Sequence, residues 1–141
     1  QVTGVQTKFK NLPLGTRAID LPDTNYPNYF LRTFGKPKRV SVCECERSPD
    51  ENLGQALHTL NGDTIAKKIA DKNGRLAKLI EAEKEQTEIV DEIFLASLCR
   101  YPSEAERKAC QEIVEQAGSP LEGYQDVMWA ILNLKRFIFV H

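Results

Sequence analysis

Ile89-Val90-Asp91-Glu92-Ile93-Phe94-Leu95-Ala96-Ser97-Leu98-Cys99-Arg100-Tyr101-Pro102-Ser103-Glu104-Ala105-Glu106 settles what kind of domain this chain can be. Ile89, Val90, Ile93, Phe94, Leu95, Ala96 and Leu98 give a helix an apolar surface almost all round, as expected of the central element of a bundle. Tyr101-Pro102 stops that helix, because proline cannot continue it and disfavours helical backbone in the residue before it. Ser103 with Glu106 three residues later is a capping box that opens the next one.

Working outward, the same period recurs. The following helix carries Ala109, Cys110, Ile113, Val114 and Ala117 inward and ends at Gly118. Ser119-Pro120 places a cap and then a proline at the first helical position, starting a last helix with the stripe Tyr124, Val127, Met128, Ile131, Leu134 and Ile138. Trp129, beside that stripe, is expected to be mostly buried. Upstream, Arg75 to Glu83 reads as a short helix with Leu76, Leu79 and Ile80 inward, and Glu81 to Glu88 as a solvated connection. Asp63 is an N-cap for a helix carrying Ile65, Ala66, Ile69 and Ala70, ended by Asn73-Gly74. Leu53, Ala56, Leu57 and Leu60 form one face of an earlier helix, with Gln55 and His58 pointing away from the core.

The first forty residues are punctuated by Pro13, Gly15, Pro22, Pro27, Gly35 and Pro37 at intervals too short for long elements. A strand around Arg17 to Leu21 and a short helix from Asn28 to Phe34 are predicted there. Val40 to Glu46 alternates with a period of two and reads as extended, placing the Cys43 and Cys45 thiols on one face. The fold class is therefore mainly α: a compact helical bundle of five to six helices with an irregular, partly extended N-terminal arm. Residues 1–47 form the arm and 48–141 the helical body, one structural domain overall. A chain of 141 residues buries about two thirds of its unfolded surface. That is enough for a core without metal or disulfide staples.

Nineteen basic and twenty acidic residues leave a net charge of −1, so no global field draws the chain to nucleic acid or anionic membrane. No apolar run approaches the ~20 residues that span a bilayer. The start at Gln1 rather than Met is that expected of a processed product or an excised domain.

The densest chemistry lies at Cys43-Glu44-Cys45-Glu46-Arg47 and the adjacent Asn52, Gln55, His58 and Asn61. Cys43, Cys45 and His58 are the candidate metal ligands, but a lone C-x-C lacks the second Cys or His pair that makes zinc spacing specific, and no metal is assigned. A disulfide between the two thiols would be strained. The structural reading makes them small buried hydrophobes, with Arg47 paired to a carboxylate or to helix-end carbonyls. Glu44 and Glu46, about 6.5 to 7 Å apart on an extended segment, match the spacing of a glycosidase pair but lack a substrate platform. Cys99 and Cys110 stand at different heights on neighbouring helices and read as core. His58 and His141 read as solvated. Without C-x-x-C-H there is no covalent haem on this chain, and no cofactor is assigned. Arg100, at the Tyr101-Pro102 corner, is placed to tie the junction to the bundle.

Several ordered blocks resemble one family over nearly the whole chain from about Leu12. They are Gly15-Thr16-Arg17-Ala18-Ile19 with Leu21-Pro22-Asp23, Tyr29-Phe30-Leu31, Phe34-Gly35-Lys36-Pro37 and Cys43 to Arg47. Asn52-Leu53, Gln55-Ala56-Leu57 and Leu60-Asn61 follow, then Leu95-Ala96-Ser97-Leu98 with Arg100-Tyr101-Pro102. The last is Trp129-Ala130-Ile131-Leu132-Asn133, closing on Phe137 and His141. The chain is similar to the C-terminal domain of unknown function of planctomycete-type exported multidomain proteins that also carry a cytochrome c-like domain. Cys99 stands where serine is common, and Leu134-Lys135-Arg136 replaces Ser-Lys-Glu. The resemblance implies a periplasmic or extracellular location and partners among the upstream domains of the same protein or another protein. Two functions are compatible with these readings. One is a non-catalytic helical interaction or structural module. The other is part of a polysaccharide-binding or carbohydrate-active site working with the cytochrome c-like domain.

Overall fold

A computed structural model describes residues 1–21, 28–34 and 62–138. The described residues carry seven α-helices and no strand: α1 Tyr29–Thr33, α2 Asp63–Ile69, α3 Arg75–Glu81, α4 Gln86–Leu98, α5 Glu104–Gln116, α6 Pro120–Leu132 and α7 Lys135–Ile138. The mainly α bundle read from periodicity is therefore correct. Two further helices are short ones: α1 has five residues and α7 has four. Spatially the chain groups into two units, Gln1–Val5 with Ile65–His141, and Gln6–Thr64.

The first of these units holds the core. Leu76 of α3, Ile89, Val90, Ile93 and Phe94 of α4, Cys110 of α5, and Tyr124, Val127, Met128, Ile131 and Leu132 of α6 are buried together with Ile69. Both α4 and α6 touch α3, α5 and α7 as well as each other, which makes them the central pair. The helices α5 and α6 form a hairpin across Ala117-Gly118-Ser119, and Gly123 sets their approach. A Cβ on Gly123 would lie 2.6 Å from the Val114 Cα, so only a residue without a side chain fits that crossing.

Local chemistry explains the helix ends. Ser103 accepts from the Glu106 N–H while the Glu106 carboxylate accepts from the Ser103 N–H, the capping box expected of this spacing. Ser119 caps α6 with Pro120 at its first position. Other ends differ from the sequence reading. Helix α2 stops at Ile69 rather than at Asn73-Gly74, because Asp71 folds the chain into a turn: its Oδ1 accepts from the Asn73 N–H at 2.8 Å and its carbonyl from the Gly74 N–H at 2.9 Å. Gly74 then becomes the N-cap of α3. Helix α3 ends at Glu81, since Glu83 is left-handed at φ 50°. Helix α4 ends at Leu98, three residues before Tyr101, because Cys99 adopts φ 55° and its N–H closes on the Leu95 carbonyl. Proline is thus not what terminates it.

Burial also departs from the expected stripes. Cys99 is exposed, not core, because its left-handed backbone turns it out at the helix end. Ala109 is exposed as well. Asn133 ends α6, so Leu134 and Ile138 fall out of the stripe and are exposed, while Phe137 packs against the core instead. Trp129 is 40% exposed rather than buried, since it faces away from the Val127, Met128 and Ile131 side of α6.

Residues Gln1–Val5 lie against α2 and α3. The Val2 carbonyl accepts from Arg75 Nε at 2.8 Å, the Thr3 carbonyl from the Arg75 N–H at 2.8 Å and the Val5 carbonyl from Lys68 Nζ at 2.8 Å. Gly74 offers no side-chain cap to α3, so the Thr3 carbonyl satisfies a first-turn N–H that would otherwise lack a partner. Gly4, at φ 70°, makes the turn that brings the strap in.

In the second unit, Arg17 to Leu21 is not a strand. Asp20 donates its N–H to the Arg17 carbonyl at 3.0 Å and its carboxylate takes Arg17 Nε at 2.8 Å, closing a 3-10 turn over Ala18–Asp20. Short-range pairing wins over the extended reading because that segment has no neighbouring strand among the described residues. The predicted helix at residues 28–34 is present as α1, where Asn28 Oδ1 accepts from the Leu31 N–H at 3.1 Å and the Phe30 and Phe34 rings stack at 4.6 Å.

Candidate functional site

Of the residues singled out in the sequence, Cys43, Glu44, Cys45, Glu46, Arg47, Asn52, Gln55, His58 and Asn61 lie outside the described residues. Arg100 lies within them, and it organises the most highly connected polar cluster among them. The corner between α4 and α5 begins at left-handed Cys99 and ends at the Ser103 cap. Within it the Arg100 guanidinium forks onto Glu106, Nη2 to Oε1 at 2.6 Å and Nη1 to Oε2 at 2.8 Å. Nη1 also donates to the Tyr101 carbonyl at 2.9 Å.

Glu106 is the hub. Its Oε2 accepts from the Ser103 N–H at 2.8 Å and from Ser103 Oγ at 3.0 Å, in addition to the guanidinium. These donors stabilise the charged form, so the carboxyl is held down from 4.5 to about 2, first by Arg100 and then by the Ser103 backbone. The Arg100 Cζ sits 5.4 Å from the centre of the Phe94 ring, a cation–π contact that ties the corner to the core. Pro102 is buried beneath it. Tyr101 is the large side chain left outside, at 63% exposure.

Every charge of this cluster is spent on another member of it. Its chemistry is accordingly that of a clamp: it fixes the backbone from Cys99 to Glu106 and presents one aromatic ring. Sequence reading found the capping box and the arginine separately but did not join them. The signal was available, because an arginine before a proline corner and an acid at the third helical position are brought together by the turn itself.

Two further ion pairs were not foreseen. Arg75 pairs with Glu92, linking the strap and α3 to α4. Arg107 Nη1 lies 2.5 Å from Asp91 Oδ1, an ion pair whose geometry is poor for a hydrogen bond. It borders a cleft of about 80 Å³ between α4 and α5, lined by Gln86, Thr87, Val90, Arg107 and Gln111. That volume holds a few waters, well under the roughly 300 Å³ of ordinary ligand pockets. Among the described residues no group of three or more His, Cys, Asp or Glu is placed to hold a metal ion, and no helix is long and apolar enough to cross a membrane.

No curated protein and no solved structure matches the chain. The family model described as PSD1, protein of unknown function (DUF1553), matches residues 7–114, which includes the Arg100–Glu106 corner and leaves the strap, α6 and α7 outside the match. With that model covering well over half of its residues, the chain belongs to the PSD1 (DUF1553) family of proteins of unknown function.

Proposed function

We propose that this chain is a non-catalytic helical interaction module of an exported, planctomycete-type multidomain protein, docking on an upstream domain of the cytochrome c-like kind. The observation that carries the reading is the Arg100 corner. Four hydrogen bonds among Arg100, Ser103 and Glu106 neutralise its charges internally, while Tyr101, on the same corner, stands 63% exposed. A rigid exposed aromatic ring is the kind of side chain that anchors protein contacts, because it buries a large area at little entropic cost. The resemblance to exported proteins supports the location and the partner domain.

The test is titration of this chain with the purified cytochrome c-like domain of the full-length protein. Tyr101→Ala should weaken binding at least about tenfold, as for a typical interface anchor, with an unchanged circular dichroism spectrum. Equal affinity of wild type and variant, or no binding by either, would count against the reading.

A further inference from the structure

Helix α6 buries Tyr124, Val127, Met128 and Ile131, and this leaves the opposite side uncovered. Leu121, Glu122, Asp126 and Trp129 occupy that side, all exposed. At about 100° per residue they fall within one arc of roughly 140°. Beyond Asn133 the chain exposes Leu134 and Ile138 with Lys135 and Arg136 between them. Glu122, Asp126, Lys135 and Arg136 have no ion-pair partner among the described residues.

We infer that the exposed face of α6, continued by α7, is a self-complementary docking surface for a second copy of this chain, packed antiparallel about a two-fold axis near Trp129. Charge selects the occupant and the orientation. The acidic pair lies toward the N-terminal end of the stretch and the basic pair toward its C-terminal end, with exposed apolar side chains at both. Parallel pairing would oppose like charges; antiparallel pairing puts Glu122 and Asp126 of each copy against Lys135 and Arg136 of the other. A foreign basic or acidic segment would satisfy one half of the stretch, whereas a second copy satisfies both at once, as an isologous interface requires. Trp129 lies near the midpoint in sequence between the two pairs, which places the two indoles beside the axis and against each other, a favourable use of an exposed aromatic.

Sedimentation equilibrium of the full chain and two charge-reversed variants tests this. Glu122→Lys with Asp126→Lys makes the stretch wholly basic, and Lys135→Glu with Arg136→Glu makes it wholly acidic. The wild type should dimerise reversibly, with Trp129 emission shifting to the blue as it does. Each variant should self-associate at least about tenfold more weakly, and an equimolar mixture of the two should associate at least as tightly as wild type. A wild type that stays monomeric up to about 1 mM, variants that dimerise as well as wild type, or a mixture that remains monomeric would each overturn the inference. Should a variant fail to give the wild-type circular dichroism spectrum, the salt dependence of wild-type dimerisation decides instead: association that does not weaken as sodium chloride rises overturns it.

Discussion

Gly123 of α6 stands so close to Val114 of α5 that a Cβ on the glycine would meet the valine Cα at 2.6 Å and the Ala117 Cβ at 3.2 Å. The contact is with backbone, which cannot rotate away, so the two helices must separate to admit a methyl group. Gly123→Ala improves helix propensity by about 1 kcal/mol. Overpacking a tight crossing costs about 1–3 kcal/mol, more where backbone must move. The second effect wins here, and thermal unfolding should show a lower melting temperature for the alanine variant. A higher one would mean that the crossing relaxes freely.

Glu106 carries the pH dependence of the α4–α5 corner. Its folded carboxyl titrates near 2, below the ordinary 4.5, so its contribution is fully present above about 4.5 and is lost as pH falls toward 2. The group is a third exposed, so solvent screening reduces the contribution to about 1 kcal/mol. Glu106→Gln keeps a capping acceptor at the third helical position and removes the charge; Glu106→Ala removes both. Denaturant melts at pH 7 and pH 3 should show a smaller loss of stability on acidification for either variant than for wild type. At pH 7 alanine should be the more destabilising by about 1 kcal/mol. Equal pH responses would show that Arg100 does not hold the charge.

Cys99 and Cys110 separate by reactivity. Cys99 is exposed, whereas burial pushes the Cys110 thiol up and withholds its reactive thiolate. In a Cys43→Ser, Cys45→Ser background one thiol should react rapidly in the native state and the second only on unfolding. Cys99→Gly should in addition stabilise the protein by about 1 kcal/mol, because glycine enters the left-handed cap without steric penalty. Two fast thiols would place α5 differently.

Arg75 joins the strap to the body through the Val2 carbonyl and the Glu92 carboxylate. Arg75→Ala should destabilise the helical unit by about 1–2 kcal/mol, and Arg75→Lys by part of that, since an ammonium cannot fork between two acceptors. Hydrogen exchange at the Arg75 and Gly74 amides should speed up on deletion of residues 1–5, which removes the Thr3 carbonyl bonded to the Arg75 N–H. Unchanged exchange there would show that the strap does not cap α3.

Helix type and number could be read from the chain because periodicity and capping are local. Ile89, Val90, Ile93 and Phe94 recur at helical spacing whatever surrounds them, and the Ser103–Glu106 and Ser119–Pro120 signals concern residues a turn apart. What remained illegible depended on distance. The exposure of Trp129 follows from which side of α6 meets α4 and α5, and the exposure of Leu134 and Ile138 from the end of α6 at Asn133. The turn at Ala18–Asp20 replaced a predicted strand because a strand is stable only beside a partner, and sequence periodicity says nothing of partners.

The candidate site divides the same way. Arg100, Tyr101-Pro102 and Ser103 with Glu106 were each visible in the chain, since each is a local signal. Their union into one clamp was decided by the turn at Cys99, whose left-handed backbone swings the guanidinium back over Phe94 and onto Glu106. The strap was invisible for a stronger reason: Val2, Thr3 and Val5 meet Arg75 and Lys68 through backbone carbonyls, which every residue possesses, so the side-chain sequence carries no mark of the pairing. Local propensity thus determined the helices, and the tertiary structure alone decided which faces were covered and which distant carbonyls and charges were brought together.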